Sequence, residues 1–301
     1  MRKDRIDALG ATALVTFALL MGLNQVLIKL VNAGLAPAFQ AGLRSACALL
    51  PVLIFARLAG RRLTISDGSL GAGIACGLFF SVEFLLLFEG LEHTTVSRAS
   101  VLFYSMPVWV AVGAHFLIPG ERLTLRRIFG LVLAVGGVAL ALLEEPPAFA
   151  PDALLGDLMC LGGAICWAGI ALVIRTTRLS RSDPEMQLVY QLAVSGIVLL
   201  ALAPLLGDTV REVTPAILGI FAFQVLVVVA FGILLFFWAL RHYPASDMAS
   251  FAFLAPLFGV LAGWAILDEP LSPGILGALA LVGTGIVLVN WKPRAKTAPA
   301  A

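Results

Sequence analysis

Glu83 is the residue whose type and position most demand a chemical reason. It stands in FFSVEFLLLF, with no cation within a helical turn of it, about fourteen residues into an apolar run. A charge there is costly unless it is used, paired or protonated. It could meet a ligand's ammonium, take a proton, or serve as a structural partner for Arg44 or Lys29. Arg44 lies about one and a half turns inside another apolar run and could face a carboxylate, or could snorkel and hold backbone carbonyls. Lys29, nearer the end of its run, reads as a snorkelling residue. Ser97, Ser100 and Tyr104, spaced three and four apart, share one helical face. The serines could line a cavity or let helices pack closely, but Tyr104 is too large for close packing. Phe253 stands 149 residues after Tyr104 in the same relation to a proline. Trp167 sits mid-run, away from the interfacial positions usual for Trp. With Phe231, Phe236 and Trp238 it predicts an aromatic wall, and Asn24 and Gln25 supply polar groups to orient a ligand.

These residues need elements to position them, and composition says what kind. Of 301 residues 60% are hydrophobic and 13% charged, and mean hydropathy is +1.02, so the chain belongs in lipid. A net charge of +2 without basic runs beside aromatics argues against a nucleic-acid partner. Cys47, Cys76, Cys160 and Cys166 lie in apolar runs without C-x-x-C spacing and read as small packing residues. The histidines fall at run ends, and no cofactor, metal or paired-acid motif is present, so an embedded enzyme is the poorer reading. No cofactor is expected.

Ten segments are apolar enough to span: 8–31, 38–57, 69–91, 96–118, 126–143, 153–175, 185–206, 214–240, 245–267 and 273–291. NAGLAP (32–37), EEPPAFAPD (144–152), RSDP (181–184) and DEPLSP (268–273) separate some of them with helix-ending residues. The fold class is therefore an all-α polytopic membrane protein. The N-terminal run follows Arg2, Lys3 and Arg5 but carries Asn24, Gln25 and Lys29, and reads as a retained span. Lys and Arg fall sixteen to one set of alternate loops and termini against two, Arg98 and Arg211, to the other. That bias places both termini in the cytoplasm of a multi-pass inner (plasma) membrane protein.

The chain also repeats itself. His93, Ser97, Pro107, Glu121-x-Leu123, Gly130 and Gly136 recur as His242, Ser246, Pro256, Glu269-x-Leu271, Gly277 and Gly283, at offsets of 149, 148 and 147. The repeats run 8–143 and 153–291, five spans each. An odd number of spans inverts the second copy, and the basic GERLTLRR facing a DEPLSP without Lys or Arg agrees. Inverted repeats are a transporter architecture with a midplane site between them. Pro107 and Pro256 would be hinges for alternating access, or static kinks.

Two five-helix units, each with a Ser/Ala-rich span holding a central proline, then Glu-x-Leu, then a glycine-spaced last helix, resemble the EamA repeats of the drug/metabolite transporter superfamily. The likeness reaches MGLNQVLIK (21–29) against WAGIALVIR (167–175). Through Glu83, Tyr104-x-x-Pro107 and Trp167 the chain is most similar to the YddG-type aromatic amino acid exporters. The resemblance implies export of small hydrophobic metabolites, amino acids first, by alternating access. A carrier of nucleotide sugars, organophosphates or drugs is the alternative; a dianion would need more cavity cations than Arg44 and Lys29.

Overall fold

The computed structural model describes residues 6–61, 63–243, 248, 251 and 253–290. Ser246, the repeat counterpart of Ser97, and the basic residues Arg2, Lys3, Arg5, Arg62, Lys292, Arg294 and Lys296 lie outside them. The described chain is helical, with a single isolated bridge, Leu35 to Val210, and no strand. Its spans are α1 Ala8–Asn32, α2 Pro37–Leu58, α3 Leu70–His93, α4 Val96–Leu117, α5 Leu125–Leu143, α6 Ala153–Thr176, α7 Pro184–Leu206, α8 Pro215–His242, α9 Leu254–Leu267 and α10 Pro273–Asn290. Nine are long and apolar enough to cross a bilayer, and α9 is the shorter tenth.

The turn chemistry explains where these helices begin. Asp7 caps α1 by accepting from Gly10 N at 2.9 Å, Thr95 caps α4, and Thr214 followed by Pro215 opens α8. Proline also stands first in α2, α7 and α10. Asp268, at φ 53°, ends α9 in the left-handed region. Large apolar side chains such as Leu50, Val132, Leu158, Ile197 and Leu226 face outward, as hydrocarbon solvent permits.

Packing follows the repeat. Counterpart helices pair directly: α2 on α7, α4 on α9, and α5 on α10. The last pair is close because glycine faces backbone: a methyl on Gly285 would lie 2.5 Å from the Gly130 carbonyl oxygen. Gly73 and Gly77 accept Tyr190 and Val194 of α7, so that small-residue motif serves internal packing. The symmetry is broken at α3 and α8. α3 lies closely along α6 and α7, whereas its counterpart α8 makes much slighter contact with α1 and α2. The middle of α8, Gln224–Phe231, is wound as a π-helix, a local widening common at functional positions.

Both prolines proposed as hinges sit differently from the mid-helix expectation. α4 is broken at 104–105 into Val96–Phe103 and Met106–Leu117, and Pro107 falls in the first turn of the second piece. Pro256 likewise falls in the first turn of α9. A first-turn proline forfeits no intrahelical hydrogen bond, so at Pro107 the irregular backbone is the break at 104–105 just upstream of the ring.

Candidate functional site

A cavity of about 700 Å³ runs into the bundle. Toward one end of the bundle its lining includes Leu14 near the start of α1, Pro184 and Gln187 at the start of α7, and Leu240 near the end of α8. These lie at the end of the bundle that carries the basic connections. Its roof, reached along α1 and α3, is formed by Asn24, Gln25, Arg44 and Leu87, with Glu83 one turn below Leu87. Aromatic rings furnish the walls, among them Phe80, Phe84, Tyr104, Trp167 and Phe236. Phe17 of α1 stacks on Phe236 of α8 at 4.9 Å between centroids.

Arg44 and Glu83 both face this space, and both are almost wholly buried, at 3% and 2% exposure. Arg44 Nη1 donates to Asn24 Oδ1 at 3.0 Å. Its guanidinium lies over Phe84 and Phe88, 4.5 and 4.7 Å from the ring centres. These contacts hold the head group across the roof and leave Arg44 Nε without a hydrogen-bond partner. Glu83 Oε2 has none either; Arg44 and Glu83 are near enough to act on each other through space, but no contact within ion-pair distance joins them among the described residues. Each unpaired buried polar atom costs about 1–3 kcal/mol, more when charged. The site therefore holds an acid and a base inside apolar walls, each with one atom that lacks a hydrogen-bond partner.

The residues singled out from sequence divide cleanly. Asn24, Gln25, Arg44, Glu83, Tyr104, Trp167 and Phe236 line the cavity. Ser97, Ser100, Phe231, Trp238 and Phe253 do not. Ser97 Oγ donates to Glu269 Oε2 at 3.0 Å, and Ser100 Oγ donates to Gln25 Oε1 at 2.7 Å, from one helical turn above Tyr104. Phe231 is 49% exposed on the outside of α8. Trp238 packs on His242 and Tyr243, and Phe253 stands half-buried beside the lining residues Phe251 and Ala255. Residue type and span alone group Phe231 and Trp238 with Phe236; seven residues apart, they share one face of α8, and Phe236 stands on another. Sequence reasoning also passed over Phe80, Phe84 and Phe88. Their four-residue spacing around Glu83 was the available signal.

The far end of the bundle holds a network of polar groups. Glu269 accepts from Val96 N at 2.7 Å and from Ser97 N at 2.9 Å, capping α4 from the loop before α10. Lys29 does not snorkel: Nζ donates to the Thr94 carbonyl and lies 3.8 Å from Glu269 Oε1. Thr94 Oγ1 donates to Asp157 Oδ1 at 2.6 Å. Arg98 pairs with Asp157 through two bonds of 2.9 and 2.5 Å and also donates to the Glu144 carbonyl. Beside this network Arg211 makes a two-pronged pair with Glu92 at 2.8 and 3.0 Å and donates to the Asn32 carbonyl. That pairing holds the Arg211 guanidinium above its ordinary range. Asp157 and Glu269 are thus buried acids additional to Glu83. Both sit near the ends of apolar runs, where acids are unremarkable in sequence.

A helical bundle with a deep, mostly apolar cavity lined by both an arginine and a glutamate is built as a secondary membrane transporter. The chain belongs to the EamA-like transporter family, whose pattern matches residues 8–143 and 154–291. It is 28% identical over 297 residues to the uncharacterized transporter YvbV of Bacillus subtilis, covering 96% of this chain and 94% of that protein. It is 29% identical over 321 residues to a probable amino-acid metabolite efflux pump of Escherichia coli, covering 98% of each. A solved crystal structure shares the fold with a TM-score of 0.65 at 18% identity, covering 92% of this chain and 96% of that one.

Proposed function

We propose that this transporter exports small hydrophobic zwitterions, amino acids with aromatic or large aliphatic side chains foremost. The observation that carries the reading is the pair of buried charges of opposite sign facing one apolar cavity, each with an atom that lacks a hydrogen-bond partner. An α-amino acid brings a carboxylate for Arg44 and an ammonium for Glu83. Its side chain then occupies the space between Phe80, Phe84, Tyr104 and Trp167. The head group restores the hydrogen bonds both residues lack, and the apolar remainder gains about 25 cal/mol for each Å² it buries. A nucleotide sugar or organophosphate would bring two negative charges to a cavity whose lining includes one cation. The printed name of the Escherichia coli relative is in keeping with this choice.

The two repeats, 8–143 and 153–291, would exchange access about this cavity, with Pro107 and Pro256 as hinges. The chain acts here as a carrier and not as a catalyst. The cationic loops at one end of the cavity support cytoplasmic termini in the inner membrane, so the cavity would collect substrate from the cytoplasm. An impermeant thiol reagent should then label Ala148→Cys from outside the cell; labelling only from the cytoplasm would overturn this orientation.

Binding to the purified protein tests the head-group assignment. Glu83→Gln should weaken phenylalanine about tenfold or more and leave 3-phenylpropionate, which has no ammonium, unchanged. Equal losses for both ligands, or no phenylalanine binding by the wild type, would refute it.

A further inference from the structure

The cavity roof holds a third unpartnered polar atom. Gln25 is 1% exposed, lines the cavity, and has no hydrogen-bond partner for Nε2. Its Oε1 is engaged, accepting from Ser100 Oγ at 2.7 Å. An amide whose oxygen is held by a hydroxyl keeps its NH2 group for something else. Ser100 is itself confined, being fully buried on α4. A methyl on Gly259 of α9 would lie 2.1 Å from the Ser100 hydroxyl, so only glycine leaves room for that serine. The sequence places Gln25 beside Asn24, which holds Arg44 from the same turn of α1.

We infer that Gln25, with its amide oriented by Ser100, is a second donor to the substrate's carboxylate, completing with Arg44 a clamp that selects carboxylate-bearing ligands over simple amines. The inference rests on the amino-acid reading above and deepens it. Arg44 Nε and Gln25 Nε2 are two unpaired donors at one roof, and a carboxylate has two oxygens to accept from them. Glu83 Oε2 remains the acceptor for the ammonium. A single arginine would hold any anion of suitable size, but an arginine and a neutral amide together favour one negative charge spread over two oxygens. Ser100 is a positioning residue: it touches no ligand and acts through the amide it holds.

Binding of phenylalanine, 3-phenylpropionate and phenethylamine to the purified full-length protein tests this. Gln25→Leu should weaken the first two about tenfold and leave phenethylamine within about twofold. Ser100→Ala should weaken the same two ligands by about threefold, and should add nothing when combined with Gln25→Leu, because residues acting as one unit are not additive. Equal losses for all three ligands, or additive losses in the double variant, would overturn the clamp. Should Gln25→Leu fail to fold, the near-isosteric Gln25→Glu should shift preference from phenylpropionate to phenethylamine by more than about tenfold; an unchanged ratio would overturn it equally. If the wild type binds none of the three, the amino-acid reading fails and takes the clamp with it. If the wild type binds and Gln25→Leu does not discriminate, the clamp alone is removed.

Discussion

The same Glu-x-Leu motif has two fates in this molecule. Glu269, in the second repeat, is 3% exposed, caps α4 through two backbone amides and Ser97, and lies near Lys29. Glu121, its counterpart in the first repeat, is 36% exposed and pairs with Arg175, the counterpart of Lys29, at the surface. One copy is built into the polar network of the far end of the bundle, and the other stands on the surface of the end that carries the basic connections. Two sequence-equivalent glutamates therefore occupy inequivalent environments, as two repeats in different surroundings permit. α3 and α8 differ in the same sense, one packed tightly and one standing away. The difference belongs to the arrangement of the helices and not to either motif by itself.

The largest expected effect lies in the buried pair of the far end. Asp157→Asn strands the Arg98 guanidinium, which is 4% exposed, and should cost about 3–5 kcal/mol. Thermal unfolding in detergent should show it as the greatest loss in this group of variants. Replacing both partners, Arg98→Met with Asp157→Leu, should recover most of the loss, since the cost comes from the charge left alone. Recovery by neither partner would mean that the far end depends on backbone packing instead.

A smaller difference separates the two glutamates. Glu269→Gln weakens a charge-assisted cap and should cost about 1–2 kcal/mol. It should also open the far end, read as faster labelling of a cysteine at Ser97 by an impermeant thiol reagent. Glu121→Gln removes an exposed ion pair and should change stability by less than about 1 kcal/mol. Equal effects of the two substitutions would erase the contrast between the ends.

The smallest effect is expected at Arg211 and Glu92, which are 40% and 24% exposed. Glu92→Gln should cost about 0.5 kcal/mol, after allowing for screening at this exposure. Because Arg211 is held above its ordinary range in the folded protein, its contribution is complete below the unfolded value. It is lost only as pH rises through the folded one. Unfolding attributable to Arg211 should therefore be flat between about pH 6 and 9. Added salt should weaken the contribution; a pH-dependent loss in that window would exclude Arg211 as its source.

Much of this was written in the chain itself. Hydropathy located the ten spans, because lipid requires each backbone polar group to be satisfied within its own segment. The offsets of 149, 148 and 147 revealed the repeat, and the isolation of Glu83 and Arg44 in apolar runs marked the charges that reach the cavity. What composition and periodicity report is a residue's depth and, roughly, its face. They do not report which helix that face meets, since this depends on rotation and tilt set by packing across the whole bundle. Glu269 meets Val96 and Ser97 from more than 170 residues away, and Asp157 meets Arg98 from 59. Ser97 and Ser100 share a face with Tyr104, but a small shift of depth sends the first to a helix cap, the second to Gln25, and only the third into the cavity wall. Tertiary structure alone decided those partners. A buried polar group must be satisfied by whatever lies opposite, and only the assembled fold supplies the opposite side.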